Sequence, residues 1–185
     1  DISNTVTYAK LAANYGTTGN DRIFYPGTGT RNLVAYENQY LVDENNEELT
    51  AQLLYLGNDQ LTWERAASFD VALEMSLLNR VNLSLGYYRK VSNDLLFNTP
   101  LRVSSGNPSI PENIGSMVNS GLEVEVAWDA VKKEKLNINI NANLSTLKNE
   151  ITKLPVGRDS IQSGSFRRVV GRSIFDYYMR KSAPV

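Results

Sequence analysis

The chain has 185 residues, a formal net charge of −1, no histidine and no cysteine. The near-zero charge gives no basic surface for nucleic acid. The missing residue types exclude the commonest general base, thiolate nucleophiles, disulfides and thiolate metal sites. The longest apolar run, Leu53 to Leu56, is far short of the roughly 20 residues that a membrane-spanning helix needs. Asp1 opens the chain without a recognisable signal peptide, and we expect a piece of a longer protein.

The first third of the chain predicts strands separated by a long loop. Weak alternation of apolar and polar residues marks strand-like segments at Thr5 to Tyr15 and at Asn32 to Val42. Between them, Gly16 to Arg31 reads GTTGNDRIFYPGTGTR, and its glycines and turn residues predict a loop.

The middle of the chain predicts a β-hairpin. Residues Phe69 to Leu77 alternate apolar with small or polar side chains, and the same pattern returns from Val81 to Tyr88 after Leu78-Asn79-Arg80. If Leu77 pairs with Val81, the apolar side chains of both strands share one face of the hairpin.

A second hairpin follows after a turn-rich segment, Ser104 to Asn113. Leu122 to Trp128 alternates in the same way, and a charged turn, Lys132 to Lys135, leads into Leu136 to Ser145. That last segment, LNININANLS, has asparagine at every second position and apolar residues between them. A further loop at Lys153 to Gly164 and a weak strand at Phe166 to Val170 complete an all-β chain.

The turns and strand lengths indicate an outer-membrane barrel. Tight turns at one end and long loops at the other are its regular arrangement. Phe69 to Leu77 spans roughly 30 Å at about 3.3 Å per residue, and a tilt of about 40° would make it rise ~23 Å, close to the ~25 Å apolar band. Phe69 and Tyr87 near the loop end, and Trp128 near the charged turn, fit the two aromatic girdles. Core aromatics of a soluble sandwich fit the same pattern.

Three blocks resemble, in order, the C-terminal half of the SusC/RagA family of TonB-linked (TonB-dependent) outer-membrane transporters: KLAANYGTTGND (Lys10 to Asp21), Asn58 to Leu96, and ENIGSMVNSGLEVEV (Glu112 to Val126). The matching residues are Tyr15-Gly16 with Thr18-Gly19-Asn20, Leu61 with Trp63-Glu64, Tyr87-Tyr88 with Lys90 and Asp94-Leu95-Leu96, and Asn113-Ile114-Gly115 with Asn119, Gly121 and Glu123. The final VVGRSIFDYYMRKSAPV is similar to the family's next strand. Ala12-Ala13-Asn14 departs from the family's usual arginine and serine, a change confined to strand side chains.

The resemblance implies antiparallel up-and-down strands in a large transmembrane β-barrel of the 22-stranded type, with a plugged lumen. Residues 1–185 would supply about seven of its staves without the plug domain. The apolar faces would meet lipid and the asparagines a hydrated lumen. The family further implies a bacterial outer-membrane location and TonB-driven uptake of oligosaccharides or peptides. Its partners are a SusD-like surface lipoprotein outside and TonB inside, reached through the absent N-terminal part. No cofactor, metal ion or catalytic residue is implied.

Other chemistry is weaker in the sequence. Glu123 and Glu125, with Asp129 beyond, could serve glycoside hydrolysis, but neighbouring carboxylates on one strand are more often a solvated polar face. Pro26 to Arg31, PGTGTR, resembles a phosphate-binding loop without its lysine and helix. Two glycosylation sequons, Asn82-Leu83-Ser84 and Asn143-Leu144-Ser145, lie in predicted strands and are discounted.

Substrate-binding residues stay unassigned. The asparagine ladder could bind sugar hydroxyls or simply contact water and the plug. Four tyrosines of the long segments could stack on a substrate or serve loop packing: Tyr25, Tyr36, Tyr40 and Tyr55. The favoured prediction is a transporter barrel that makes no bonds. A soluble carbohydrate-binding sandwich is the alternative, and a β-rich glycosidase the third.

Overall fold

The computed structural model describes residues 5–25, 28–45, 48–154, 159–163 and 165–179. Within those residues the chain is almost entirely strand, apart from a short 3-10 helix at Val103–Ser105. No helix there is long and apolar enough to cross a membrane. The strands are β1 Val6–Asn20, β2 Gln39–Asn45, β3 Glu48–Tyr55, β4 Glu64–Leu77, β5 Val81–Asn93, β6 Leu96–Pro100, β7 Ser109–Asn113, β8 Ser116–Lys133, β9 Leu136–Ser145, β10 Lys148–Lys153, β11 Ser160–Ser163 and β12 Phe166–Val169.

One antiparallel sheet dominates the fold, in the order β1-β4-β5-β8. Both β9 and β10 lie beside β8, because β9 pairs with its residues 123–133 and β10 with its residues 116–120. The two short strands therefore share one position in the sheet. Thr146 joins them: its N–H donates to the Leu122 carbonyl at 2.8 Å, and its hydroxyl accepts from the Leu122 N–H at 2.9 Å. The sheet is five positions wide, and the expectation of about seven staves stays a prediction.

Both predicted hairpins are confirmed. Leu77 pairs with Val81, as the alternation required. Leu78 and Asn79 between them have φ angles of 55° and 53°, the left-handed pair that matches a tight turn to twisted strands. In the second hairpin Lys133 pairs with Leu136.

The register places apolar residues in continuous rows on one face of the sheet. Paired residues in antiparallel strands point to the same face, so each row crosses all the strands. One row is Leu11, Leu73, Leu85, Val124 and Leu144. The opposite face carries polar rows, such as Lys10, Glu74, Ser84, Glu125 and Asn143.

A β-bulge in β8 preserves the two faces near the second turn. Asp129 pairs with Asn139, but the next pair is Val131 with Ile138, so Ala130 is an extra residue. Without it, Val131 would fall on the polar face. The asparagines of β9 therefore keep to one face along the whole strand.

Three hairpins project from one end of the sheet: β2-β3, β6-β7 and β11-β12. The predicted strand at Asn32 to Val42 is wrong in its first half, because the Asn32 side chain accepts from the Val34 N–H at 3.0 Å and starts a turn. The predicted loop from Gly16 is also too long, since β1 continues to Asn20. Ser104 to Asn113 was predicted as a loop but ends in β7.

The weak C-terminal strand predicted at Phe166 to Val170 is present as β12. The predicted loop at Lys153 to Gly164 contains β11, while its residues 155–158 and 164 lie outside the described residues.

The packed core lies in the projecting loops and not on the sheet. Ile23, Ala35 and Tyr55 form a buried cluster, with Tyr25 and Leu61 packed against it. By contrast, the side chains of the apolar rows stay exposed, with Leu11 at 73% and Leu144 at 64%. An apolar sheet face of this size needs a cover in the working protein.

Candidate functional site

The connections at the projecting end form three loops, named here loop A (residues 21–63), loop B (94–115) and loop C (the described residues between 159 and 179). Asn113 of loop B is held against Thr62 of loop A. Its Oδ1 accepts from the Thr62 N–H and its Nδ2 donates to the Thr62 carbonyl, both at 2.7 Å. The same Nδ2 donates to the Asp94 carbonyl at 2.8 Å. One amide therefore ties the start and end of loop B to loop A.

Two further asparagines join the same loops. Asn58 Nδ2 donates to the Pro111 carbonyl at 2.8 Å, and Asn98 Nδ2 donates to the Phe24 carbonyl at 2.8 Å. Each bond satisfies a backbone carbonyl outside the sheet ladders. Loops A and B are thus connected at three separate places.

Loop C reaches loop B through an arginine. The guanidinium carbon of Arg168 lies 4.6 Å from the ring centre of Phe97, a cation–π contact. Burial lowers the pKa of Arg168 from its ordinary value. Loop C is also held to the sheet by Asn149, whose Oδ1 accepts from the Ile174 N–H at 2.8 Å.

A cleft of about 430 Å³ opens between loops A and B. Residues of β2, β3 and the segment around residue 28 form one side, and loop B forms the other. Its lining is Tyr25, Thr28, Thr30, Gln39, Leu54, Tyr55, Leu56, Asn107, Pro108 and Ser109. The volume falls in the range of small-molecule sites, about 300–1,000 Å³.

Two of the four predicted tyrosines meet in this cleft. The rings of Tyr25 and Tyr55 lie edge to face, with centres 5.4 Å apart at 74°. The Tyr25 hydroxyl donates to Gln39 Oε1 at 2.6 Å, which fixes the ring. Tyr55 is only 5% exposed, and this burial raises the pKa of its hydroxyl above the ordinary value. Loop packing explains Tyr55, whereas Tyr25 is only half-buried and lines the cleft.

The other two tyrosines lie elsewhere. Tyr36 lines a separate cavity of about 330 Å³ in loop A, which also includes Trp63. Tyr40 is exposed on β2. The sequence therefore grouped four residues that the fold divides among three environments.

The carboxylates are on the polar face of the sheet, as predicted. Glu125 pairs with Ser84 and lines an open groove of about 370 Å³ that also includes Glu74 and Tyr8. Glu123 pairs with Gly86. Lys10 Nζ lies 3.6 Å from Glu74 Oε2. This is a hydrated polar face with mixed charges, which favours the non-catalytic interpretation.

The remaining candidates occupy ordinary structural positions. Asp129 Oδ1 accepts a short hydrogen bond from Asn139 Nδ2. Arg31 pairs with Asp21, with Nη2 and Oδ1 2.7 Å apart, so its guanidinium already has an anionic partner. Pro26 and Gly27 of the same predicted loop lie outside the described residues. Both sequon asparagines, Asn82 and Asn143, lie within strands.

Sequence reasoning missed the role of the three loop-joining asparagines. Asn58 and Asn113 were noticed only as members of the blocks that carry the resemblance, and Asn98 not at all. Their partners are 51 to 74 residues away in the sequence. The available signal was the recurrence of asparagine next to long loops, which fits side chains that substitute for backbone pairing.

Comparisons with known proteins agree with the geometry. The family model described as "TonB dependent receptor-like, beta-barrel" matches residues 3–170. TonB-dependent receptor P39 of Formosa agariphila is 30% identical over 181 residues, which is 97% of this chain and 17% of that protein. TonB-dependent receptor SusC of Bacteroides thetaiotaomicron is 32% identical over 106 residues, or 56% of this chain and 10% of that protein. A solved structure of the RagAB peptide transporter superposes with a TM-score of 0.77 at 25% identity, covering 91% of this chain and 18% of that one. The chain thus spans about a sixth of its relatives' length.

Proposed function

Since the chain belongs to the TonB-dependent receptor β-barrel family, we propose that it forms part of the barrel wall and external loops of a SusC-like transporter in a bacterial outer membrane. The observation that carries this proposal is the two-faced sheet. Continuous apolar rows cross every strand, while the opposite face is polar and bears the asparagine ladder. Lipid outside and a hydrated lumen inside are the surroundings that satisfy both faces.

The ends of the sheet fit the same orientation. The three projecting loops would face the cell exterior and the tight turns the periplasm, as is regular in such barrels. Phe69 and Tyr15 pair on the apolar face near the loops, and Trp128 lies on that face near the turns. These aromatics would mark the two membrane interfaces.

The transport cycle would use this part of the protein for gating and passage and not for chemistry. We propose that the substrate is an oligosaccharide or a peptide, in line with the names of the SusC and RagAB relatives. A SusD-like lipoprotein would cover the external loops, and TonB would supply energy through a plug domain. A periplasmic TonB contact through these residues is not required, because only tight turns reach that end.

The soluble sandwich is the second candidate, and the exposed apolar face weighs against it. A sandwich buries such a face against a second sheet. The described residues form only small two-stranded hairpins beside the main sheet, and none is long enough to cover it.

Deletion of the parent gene in its own host tests the proposal. We expect loss of growth on one class of polymer, either an oligosaccharide or a peptide, and normal growth on the corresponding monomers. A protonophore should abolish uptake while surface binding continues, because the energy source is the inner-membrane potential. Recovery of the protein in the soluble fraction after cell lysis would contradict the proposal, and so would uptake that is unchanged by deletion.

A further inference from the structure

We propose that the cleft between loops A and B binds an uncharged, apolar side chain of a peptide. The inference rests on the proposed function, since it places a substrate subsite in the external loops of the transporter. It goes further by assigning the chemistry that this one cleft selects.

The lining determines the polarity of the ligand. None of the ten lining residues carries a charge, and five of them offer ring or aliphatic surface: Tyr25, Leu54, Tyr55, Leu56 and Pro108. A charged group that entered the cleft would lose water without gaining an opposite charge. Leu54 is 65% exposed although it lies beside buried Tyr55, so an apolar ligand would cover it.

The polar rim argues for a ligand with few hydrogen-bonding groups. Gln39 Oε1 accepts from Tyr25, and Gln39 Nε2 donates to Asn32 Oδ1 at 3.2 Å. Thr28 Oγ1 donates to the Tyr25 carbonyl at 3.3 Å. Those groups are already used within loop A. A sugar ring, with a hydroxyl on most carbons, would leave many of its groups unpaired here.

One hydroxyl remains for the ligand. Ser109 Oγ is buried and has no hydrogen-bond partner among the residues that the structure describes. It belongs to β7 in loop B, opposite the tyrosines of loop A. A peptide amide beside an apolar side chain would satisfy this hydroxyl. The cleft therefore fits one apolar side chain together with one main-chain polar group.

The two sides of the cleft are held apart by structure that does not depend on the ligand. Asn58, Asn98 and Asn113 fix loop B to loop A outside the lining. The Tyr25 ring is fixed by its hydrogen bond to Gln39. A cleft that is formed in advance spares the ligand the entropy of ordering the loops.

Cysteine protection in the purified parent transporter tests the proposal. The chain has no cysteine, so Leu54→Cys introduces a thiol at the cleft, and Leu41→Cys, 52% exposed on β2 outside the lining, is the matched control. The probe is acetyl-Phe-Leu-Phe-amide, and the label is a small neutral maleimide. At ten times the dissociation constant we expect alkylation of Leu54→Cys to slow about tenfold, with Leu41→Cys unchanged. Ser109→Ala should weaken the probe's apparent affinity about threefold to tenfold.

Two comparison ligands determine the outcome. Acetyl-Asp-Leu-Asp-amide and maltotriose should give no protection at the same concentrations. Protection by maltotriose but not by the neutral peptide would overturn the assignment, as would equal protection by the charged peptide. Absence of protection by all three would also overturn it. In that case, energy-dependent uptake by the unmodified transporter would show that the proposed function itself still holds.

Discussion

The ring of Tyr88 lies over Gly121, its directly paired neighbour on β8. A Cβ atom on Gly121 would come within 2.7 Å of this ring and within 2.0 Å of the Thr146 carbonyl oxygen. The glycine thus lets the chain pass closely where β9 gives way to β10. Such a glycine covered by an aromatic ring is a recognised device for fixing strand register.

Gly121→Ala should therefore destabilise the barrel, because the backbone of residue 146 must move to admit a methyl group. We expect a cost of about 1–3 kcal/mol in the free energy of unfolding, measured by urea unfolding in detergent micelles. Gly16→Ala in β1 is the matched control, since nothing lies within 4 Å of its added Cβ. Equal stability of the two variants would contradict the close approach.

Asn113→Ala should release loop B from loop A. The change removes the two bonds to Thr62 and the bond to Asp94. We expect faster hydrogen exchange at the Thr62 amide, by a factor of about 10 to 100 if one to two net hydrogen bonds are lost. Asn107→Ala, whose side-chain bond is to nearby Ser105, is the control. Unchanged exchange at Thr62 would show that other contacts hold the loops.

Leu85→Arg should impair membrane assembly, whereas Ser84→Arg should be tolerated. The two residues are neighbours on β5 but belong to opposite faces. An arginine on the lipid face near the midplane costs about 2–4 kcal/mol. Spin labels on the apolar rows should also report lipid surroundings, at Leu73, Met75, Leu83, Leu85, Val124, Ile138 and Ile140. Water exposure at these sites, with Asn139 and Glu125 sheltered, would reverse the two faces.

Tyr55 should make loop stability sensitive to alkaline pH. Burial raises the pKa of its hydroxyl above 10.0, so the unfolded chain ionises first. Its contribution is complete below pH 10 and falls as the pH rises toward the folded-state pKa. Tyr55→Phe should remove this alkaline loss and change stability at neutral pH by less than about 1 kcal/mol, since the hydroxyl has no hydrogen bond of good geometry among the described residues. Exposed Tyr40→Phe should leave the loss in place, as followed by limited proteolysis of loop A.

Replacing Glu123 and Glu125 together by glutamine should abolish no hydrolytic activity. Both lie on a hydrated strand face, and we expect glycoside turnover to be absent from the unchanged protein as well. Any turnover that the double variant eliminates, with kcat measured on a chromogenic glycoside, would restore the enzyme interpretation.

The sheet could be predicted from the sequence because its two faces meet different surroundings. A period of two then specifies both the strands and the register, as the pairing of Leu77 with Val81 shows. The loops follow no such rule. Asn32 starts a turn within an apparently extended segment, and Asn113 meets a partner 51 residues away. The cleft depends on those distant contacts, so composition indicated its tyrosines but not which of them would meet.

The bulge at Ala130 also has an evolutionary consequence. Deletion of the Ala130 codon would let Asp129 and Val131 follow each other as ordinary neighbours, with every later side chain still facing its own solvent. Deletion of the Ala127 codon, only three positions earlier, would exchange the two faces over the stretch up to the bulge. Single-residue insertions and losses in β8 should therefore accumulate at position 130 among natural variants, where the gene can change length without changing which medium each side chain meets.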